Sequence, residues 1–79
     1  MLTRYIQAAM RHAAYKLFED GSFWGEIPQI TGVWANAATL EACRDELQDV
    51  LEDWLLASIA DHDPLPVVEG IDLNARKAA

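Results

Sequence analysis

The sequence predicts an α+β fold: a short helix, a three-stranded antiparallel sheet, a long amphipathic helix and a final short strand. Three observations carry that expectation. Apolar residues recur at helical spacing near the N-terminus and again between Leu40 and Ala60. Alternating apolar runs flank the dipeptide Asp20-Gly21. Pro28, Gly32, Pro64 and Pro66 punctuate the chain where one regular element must give way to the next.

The first helix rests on Leu2, Tyr5, Ile6, Ala9, Met10 and Ala13, which share one face at three- and four-residue spacing, with Arg4, Gln7 and Arg11 elsewhere on the cylinder. Strands are expected over Tyr15 to Glu19 and Ser22 to Ile27, joined by Asp20-Gly21 as a two-residue hairpin loop whose residues tolerate positive φ. In that register Phe18 faces Phe23 and Leu17 faces Trp24. Period-two alternation puts Phe23, Gly25 and Ile27 on one sheet face and Trp24 with Glu26 on the other. Gly25 leaves room for a helix or another backbone to come close. Pro28 ends the strand, and Gly32 turns the chain into a third strand over Val33 to Asn36.

Thr39 is positioned to cap a helix from Leu40 to Ala60, although Ala42 at the third helical position rules out a full capping box. Leu40, Cys43, Leu47, Val50, Leu51, Trp54 and Leu55 fall on one arc of that helix. Glu41, Asp45, Glu46, Asp49, Glu52 and Asp53 fall on the opposite arc. Phe23, Ile27, Leu47, Val50 and Trp54 are expected to form the core shared by sheet and helix. The helix yields at Asp61-His62-Asp63, with the imidazole near the negative end of the dipole, and the two prolines block its continuation. Val67-Val68 and Ile71-Asp72-Leu73 are expected to pair as an edge strand around Glu69-Gly70.

One domain over residues 1–73 followed by a flexible tail, 74–79, fits a chain of 79 residues. A chain this short buries only about 60% of its unfolded surface. With 52% apolar residues, including Trp24, Trp34 and Trp54, it carries more apolar surface than one small core can hide, and a homodimer or larger assembly is expected. Thirteen acids against six bases give a net charge of −7, which repels phosphate and argues against direct nucleic-acid binding. Cys43 is the only cysteine, so no internal disulfide can form, and a reducing cytoplasm is the expected location. Arg4 and Arg11 interrupt any signal-peptide core. The apolar stretch Trp54 to Ala60 is too short to span a bilayer, so no membrane association is expected.

Two features are candidates for partner binding. Along the acidic arc, Asp45/Asp49 and Asp49/Asp53 are like-charged pairs at i,i+4 spacing, each costing a few tenths of a kcal/mol. Glu41, Asp45, Asp49, Glu52 and Asp53 therefore form either a solvated face or a docking face for a basic partner. Trp24 and Trp34 are either core residues or, on an uncovered sheet face, anchors for a subunit or partner contact. Catalysis finds little support, because neither His12 nor His62 sits in a nucleophile motif. Asp61-His62-Asp63 points in three directions at a helix end, which suits a cap better than a metal site. Cys43 reads as a buried, inert thiol, and nothing brings Glu26 to Glu41 or Asp45. No enzyme activity, metal or cofactor is expected.

The pattern Gly21-x-Phe23-x-Gly25-x-Ile27-Pro28-x-Ile30-x-Gly32, followed by Thr39-x-Glu41, resembles the HicB-type antitoxins, in particular their short subgroup. The N-terminal segment to Ala13 and the ending from Pro64 to Leu73 extend the likeness over most of the chain. The resemblance implies a reduced version of the ribonuclease H fold and a non-catalytic antidote. Such a protein binds a small basic toxin of the HicA type that cleaves messenger RNA, and covers its catalytic histidine. The six residues after Leu73 are too few for the DNA-binding domain that many of those proteins carry, so operator binding is not implied. The alternative is a stand-alone homo-oligomeric interaction module without a toxin partner.

Overall fold

A computed structural model of the chain describes residues 2–74. The elements follow in the order α1 (Leu2–Arg11), β1 (Ala14–Leu17), β2 (Phe23–Glu26), β3 (Trp34–Ala37) and α2 (Leu40–Ala60). The strands form one antiparallel sheet in the order β1-β2-β3. Helix α2 lies across one face of β2 and β3, and α1 packs on α2. Fold class and element order match the expectation up to the end of α2.

The first hairpin departs from it by one residue. Leu17 pairs with Phe23 and Lys16 with Trp24, so Phe18 does not face Phe23 as the two-residue loop requires. Phe18 and Ser22 close the hairpin instead, through Phe18 N–H to Ser22 O at 2.8 Å, and Gly21 N–H returns to Phe18 O at 3.0 Å. The loop is therefore Glu19-Asp20-Gly21, with Gly21 at φ +86°. That is a three-residue turn closed by a left-handed glycine. Asp20 adds a local reason: its carboxylate accepts both Ser22 N–H (2.9 Å) and Ser22 Oγ–H (2.6 Å). These bonds hold the Asp20 carboxyl below its usual range.

The alternation of faces survives the shift. Gly25 is buried beneath Tyr15 and Cys43, which places its face against α2. Trp24 pairs across from Asn36, and Glu26 from Trp34, on the uncovered face. Between β2 and β3 the chain folds back over the sheet end. Ile30 N–H donates to Ile27 O at 2.9 Å, and Ile27, Ile30 and Val33 are all buried.

Thr39 caps α2 as expected, accepting Ala42 N–H on its hydroxyl at 3.1 Å. The buried stripe is narrower than the apolar arc. Cys43, Leu47, Leu51 and Leu55 are buried at strict four-residue spacing, followed by Ser58. Val50 and Trp54 pack only on its margin, and Leu40, at the first turn, is exposed. Of the expected shared core, Ile27 and Leu47 are fully buried, whereas Phe23, Val50 and Trp54 are half-covered. The remaining core comes from Tyr5, Ala8, Ala9 and Met10 of α1, from Ala35 of β3, and from Leu65 and Val68. Small residues at Ala8 and Ala9 let α1 sit close to its neighbours.

Helix α2 ends in a paired cap. Asp63 N–H reaches Ser58 O at 2.9 Å and His62 N–H reaches Ile59 O at 3.2 Å, with His62 at φ +57°. This is the Schellman arrangement, with histidine where glycine is usual.

Among the described residues no fourth strand joins the sheet. Val68 and Ile71 make one isolated bridge around Glu69 (φ +49°) and Gly70 (φ +78°). Two consecutive left-handed residues produce a tight turn that folds the segment on itself. It is fastened elsewhere: Tyr5 Oη donates to Pro66 O at 2.6 Å, and Arg11 makes two bonds to Glu69, at 2.6 and 3.2 Å. Asn74 fastens the same segment. Asn74 Oδ1 accepts Leu65 N–H (2.7 Å) and its Nδ2 donates to Leu65 O (2.9 Å), replacing a strand partner with a carboxamide. Residues 75–79 of the expected tail lie outside the described residues.

Candidate functional site

The two candidate binding features lie on opposite sides of the molecule. Because α2 covers the face to which Gly25 belongs, Trp24 and Trp34 stand on the other face, and the acidic arc points away from the sheet altogether.

On the uncovered sheet face three aromatic rings form a row. Phe18 and Trp24 stack with centroids 5.8 Å apart and planes 21° from parallel; Trp24 and Trp34 stack at 4.6 Å and 9°. The one-residue shift in the hairpin makes the first contact, since Phe18 lands diagonally from Trp24. Trp34 remains 50% exposed although stacked. Trp24 Nε1–H donates to Glu26 Oε1 at 3.0 Å, fixing both side chains along β2. Beside the pair, the chain from Ile27 to Val33 builds one wall of a cleft of about 190 Å³, whose other walls are Trp24, Glu26 and Trp34. Both tryptophans thus belong to a surface. The aliphatic spacing Ile27, Ile30, Val33 around Pro28 and Gly32 was the available signal that this segment folds inward, although it does not record the cleft that results.

On α2, Glu41, Asp45, Glu46, Asp49 and Asp53 are exposed. Among the described residues none of them makes an ion pair; the pairs present join Arg11 and His12 to Glu69. Glu52 differs. It is half-buried, accepts from Gln48 Nε2 at 3.0 Å, and lines the groove between α1 and α2 with Thr3, Ile6, Gln7, Met10 and Arg44.

The histidines are held apart in structural roles. His12 Nε2 lies 3.0 Å from Glu69 Oε2, and His62 caps α2. A cleft of about 390 Å³ does open at His62, walled by Ile59, Asp63, Leu65, Leu73 and Asn74. No serine or cysteine lines it, and the Asn74 carboxamide is committed to Leu65 and Asp72. Cys43 is fully buried, and that burial pushes its thiol pKa up. Among the described residues no group of three or more His, Cys, Asp or Glu is arranged to hold a metal ion, and no helix is long and apolar enough to cross a membrane.

The UPF0150-like family matches over residues 4–66, most of the chain, taking in β1, β2, β3 and α2 whole and all but the first two residues of α1. The chain belongs to the UPF0150-like family. Among solved structures, this UPF0150-like chain resembles the crystal structure of TTHA0281 from Thermus thermophilus. The two are 38% identical, the match covers 96% of this chain and 95% of that one, and the TM-score is 0.89. No curated protein matches it.

Proposed function

We propose that this UPF0150-like protein is a non-catalytic, cytoplasmic antidote that binds and masks a small basic ribonuclease toxin of the HicA type. The observation carrying this reading is the unneutralised acidic face of α2, presented on a helix seated on the sheet and capped at both ends. Four of the carboxylates named for this role, Glu41, Asp45, Asp49 and Asp53, make no ion pair among the described residues and stand at helical spacing. They offer a row of negative charge to a surface built to hold RNA phosphates. The family likeness adds to it, and Glu52 contributes less because it is engaged at the α1 groove.

Co-expression with a basic messenger-RNA-cleaving partner tests the proposal. Reversing Asp45, Asp49 and Asp53 to Lys should slow association at least tenfold at low salt and flatten its salt dependence, with the helical signal intact. An unchanged association rate would reduce the arc to a solvated face.

A second reading, a homo-oligomeric module, is favoured by apolar residues left open at the end of α2: Leu56 and Ile59, one turn apart, are 62% and 45% exposed. Sedimentation at micromolar concentration should give at least a dimer, and Leu56→Glu should shift it toward monomer. A folded monomer for the wild-type chain rules this reading out.

A further inference from the structure

We infer that the cleft between Trp34 and the Ile27–Val33 segment is a socket for one arginine side chain of a basic protein partner. The inference rests on the proposed basic partner, and it gives the sheet face a role separate from the acidic helix. Three observations converge there. The cleft holds about 190 Å³, room for a single long side chain and too little for a helix or a strand. One wall is the indole of Trp34, half-exposed and braced in parallel by Trp24, so a planar cation can lie on an aromatic face that does not have to be ordered first. At the side stands Glu26. Its Oε1 takes Trp24 Nε1–H at 3.0 Å, and Oε2 has no hydrogen-bond partner among the described residues.

A guanidinium suits this arrangement better than an ammonium. Its plane stacks on indole while its edge donates to a carboxylate, whereas an ammonium presents a compact, strongly hydrated charge. The neighbouring base, Lys16, does not fill the site. It pairs with Trp24 from the β1 side, and no β1 residue lines the cleft. The net charge of −7 adds a long-range pull on basic segments and argues against nucleobases as the stacking ligand.

The three tryptophans make the test internal to the protein. The full-length chain, labelled with ¹⁵N, is titrated with the capped tripeptide Gly-Arg-Gly while the indole N–H resonances are followed. Trp24 and Trp34 should move together, and Trp54, on α2, should stay in place. Capped Gly-Lys-Gly should bind about threefold more weakly, losing the stacking of the planar cation. Glu26→Gln keeps an oxygen for the Trp24 N–H yet removes the charge, and should weaken the arginine peptide roughly tenfold. Trp34→Leu, read at Trp24, should cost about threefold.

Equal responses to arginine and lysine, equal movement of all three indoles, or no movement would each overturn the socket. So would a larger response to capped Gly-Pro-Gly, which would make the cleft a proline groove. The Asp45, Asp49 and Asp53 reversal variant should bind the tripeptide at the cleft with the same selectivity as wild type. Failure of the socket and failure of the acidic face are therefore read separately.

Discussion

At Gly25 a β-carbon would lie 3.0 Å from Cδ1 and Cε1 of Tyr15 and 3.1 Å from Sγ of Cys43. Each distance is closer than side-chain carbons normally tolerate, so the residue is glycine for reasons of space. Gly25→Ala should cost about 1–3 kcal/mol in chemical denaturation, the usual cost of overfilling a packed site. Half-buried Tyr15 can swing outward, but Cys43 is fixed on α2 beneath the sheet. Adding Cys43→Ala should recover part of the loss, and the pair should be markedly non-additive. Strictly additive losses would show that the helix does not set the limit. Conformational need is different from spatial need, and it appears at Gly21, whose φ of +86° closes the hairpin with nothing near its absent side chain.

At the scale of elements, the end of α2 carries avoidable strain. His62 occupies a left-handed position at φ +57°, where a β-carbon crowds the backbone. His62→Gly should raise stability by about 1 kcal/mol, seen as a melting temperature several degrees higher; a decrease would mean the imidazole is valuable where it sits. Element boundaries were legible where one residue decides them. Thr39 supplies a cap that almost nothing else in its neighbourhood could, and Pro28 cannot extend a ladder. The hairpin register was not legible, because Asp-Gly serves a two-residue loop and, with Glu19 before it, a three-residue loop equally well. Only the bonds of Asp20 to Ser22 separate them. The last strand failed for a related reason: Val68 and Ile71 have the composition of a strand, but Glu69-Gly70 turns too tightly to leave either arm beside the sheet. For the candidate site, alternation along β2 placed Trp24 correctly on the face away from Gly25. The cleft depends on how the Ile27–Val33 segment packs in three dimensions, which no local period records.

Across the whole molecule, the C-terminal turn is tied to α1 by charge. Glu69 takes two bonds from Arg11 and lies within reach of His12, and the hydrogen bonds from Arg11, more than any other influence, hold its carboxyl below the usual range. The unfolded chain therefore takes up this proton at higher pH than the folded one. The tie contributes in full above the ordinary glutamate pKa and is lost as pH falls through the lowered value. Melting temperature followed from neutral to acid pH should fall less steeply for Glu69→Gln than for wild type. Parallel acid limbs would show that the exposed tie is screened away by solvent.

Those same fastenings bear on how the chain is made. Tyr5 finds its acceptor 61 residues later, at Pro66, and Arg11 finds Glu69 58 residues later. During synthesis α1 leaves the ribosome before the sheet and α2, yet its buried tyrosine has no carbonyl to bond until Pro66 has been added. The sheet and α2 can meet earlier, through contacts much closer in sequence. The N-terminal helix should accordingly dock late, after the long loop from Tyr5 to Pro66 has closed. A nascent chain halted before Pro66 would then expose α1 to a protease that the released protein resists.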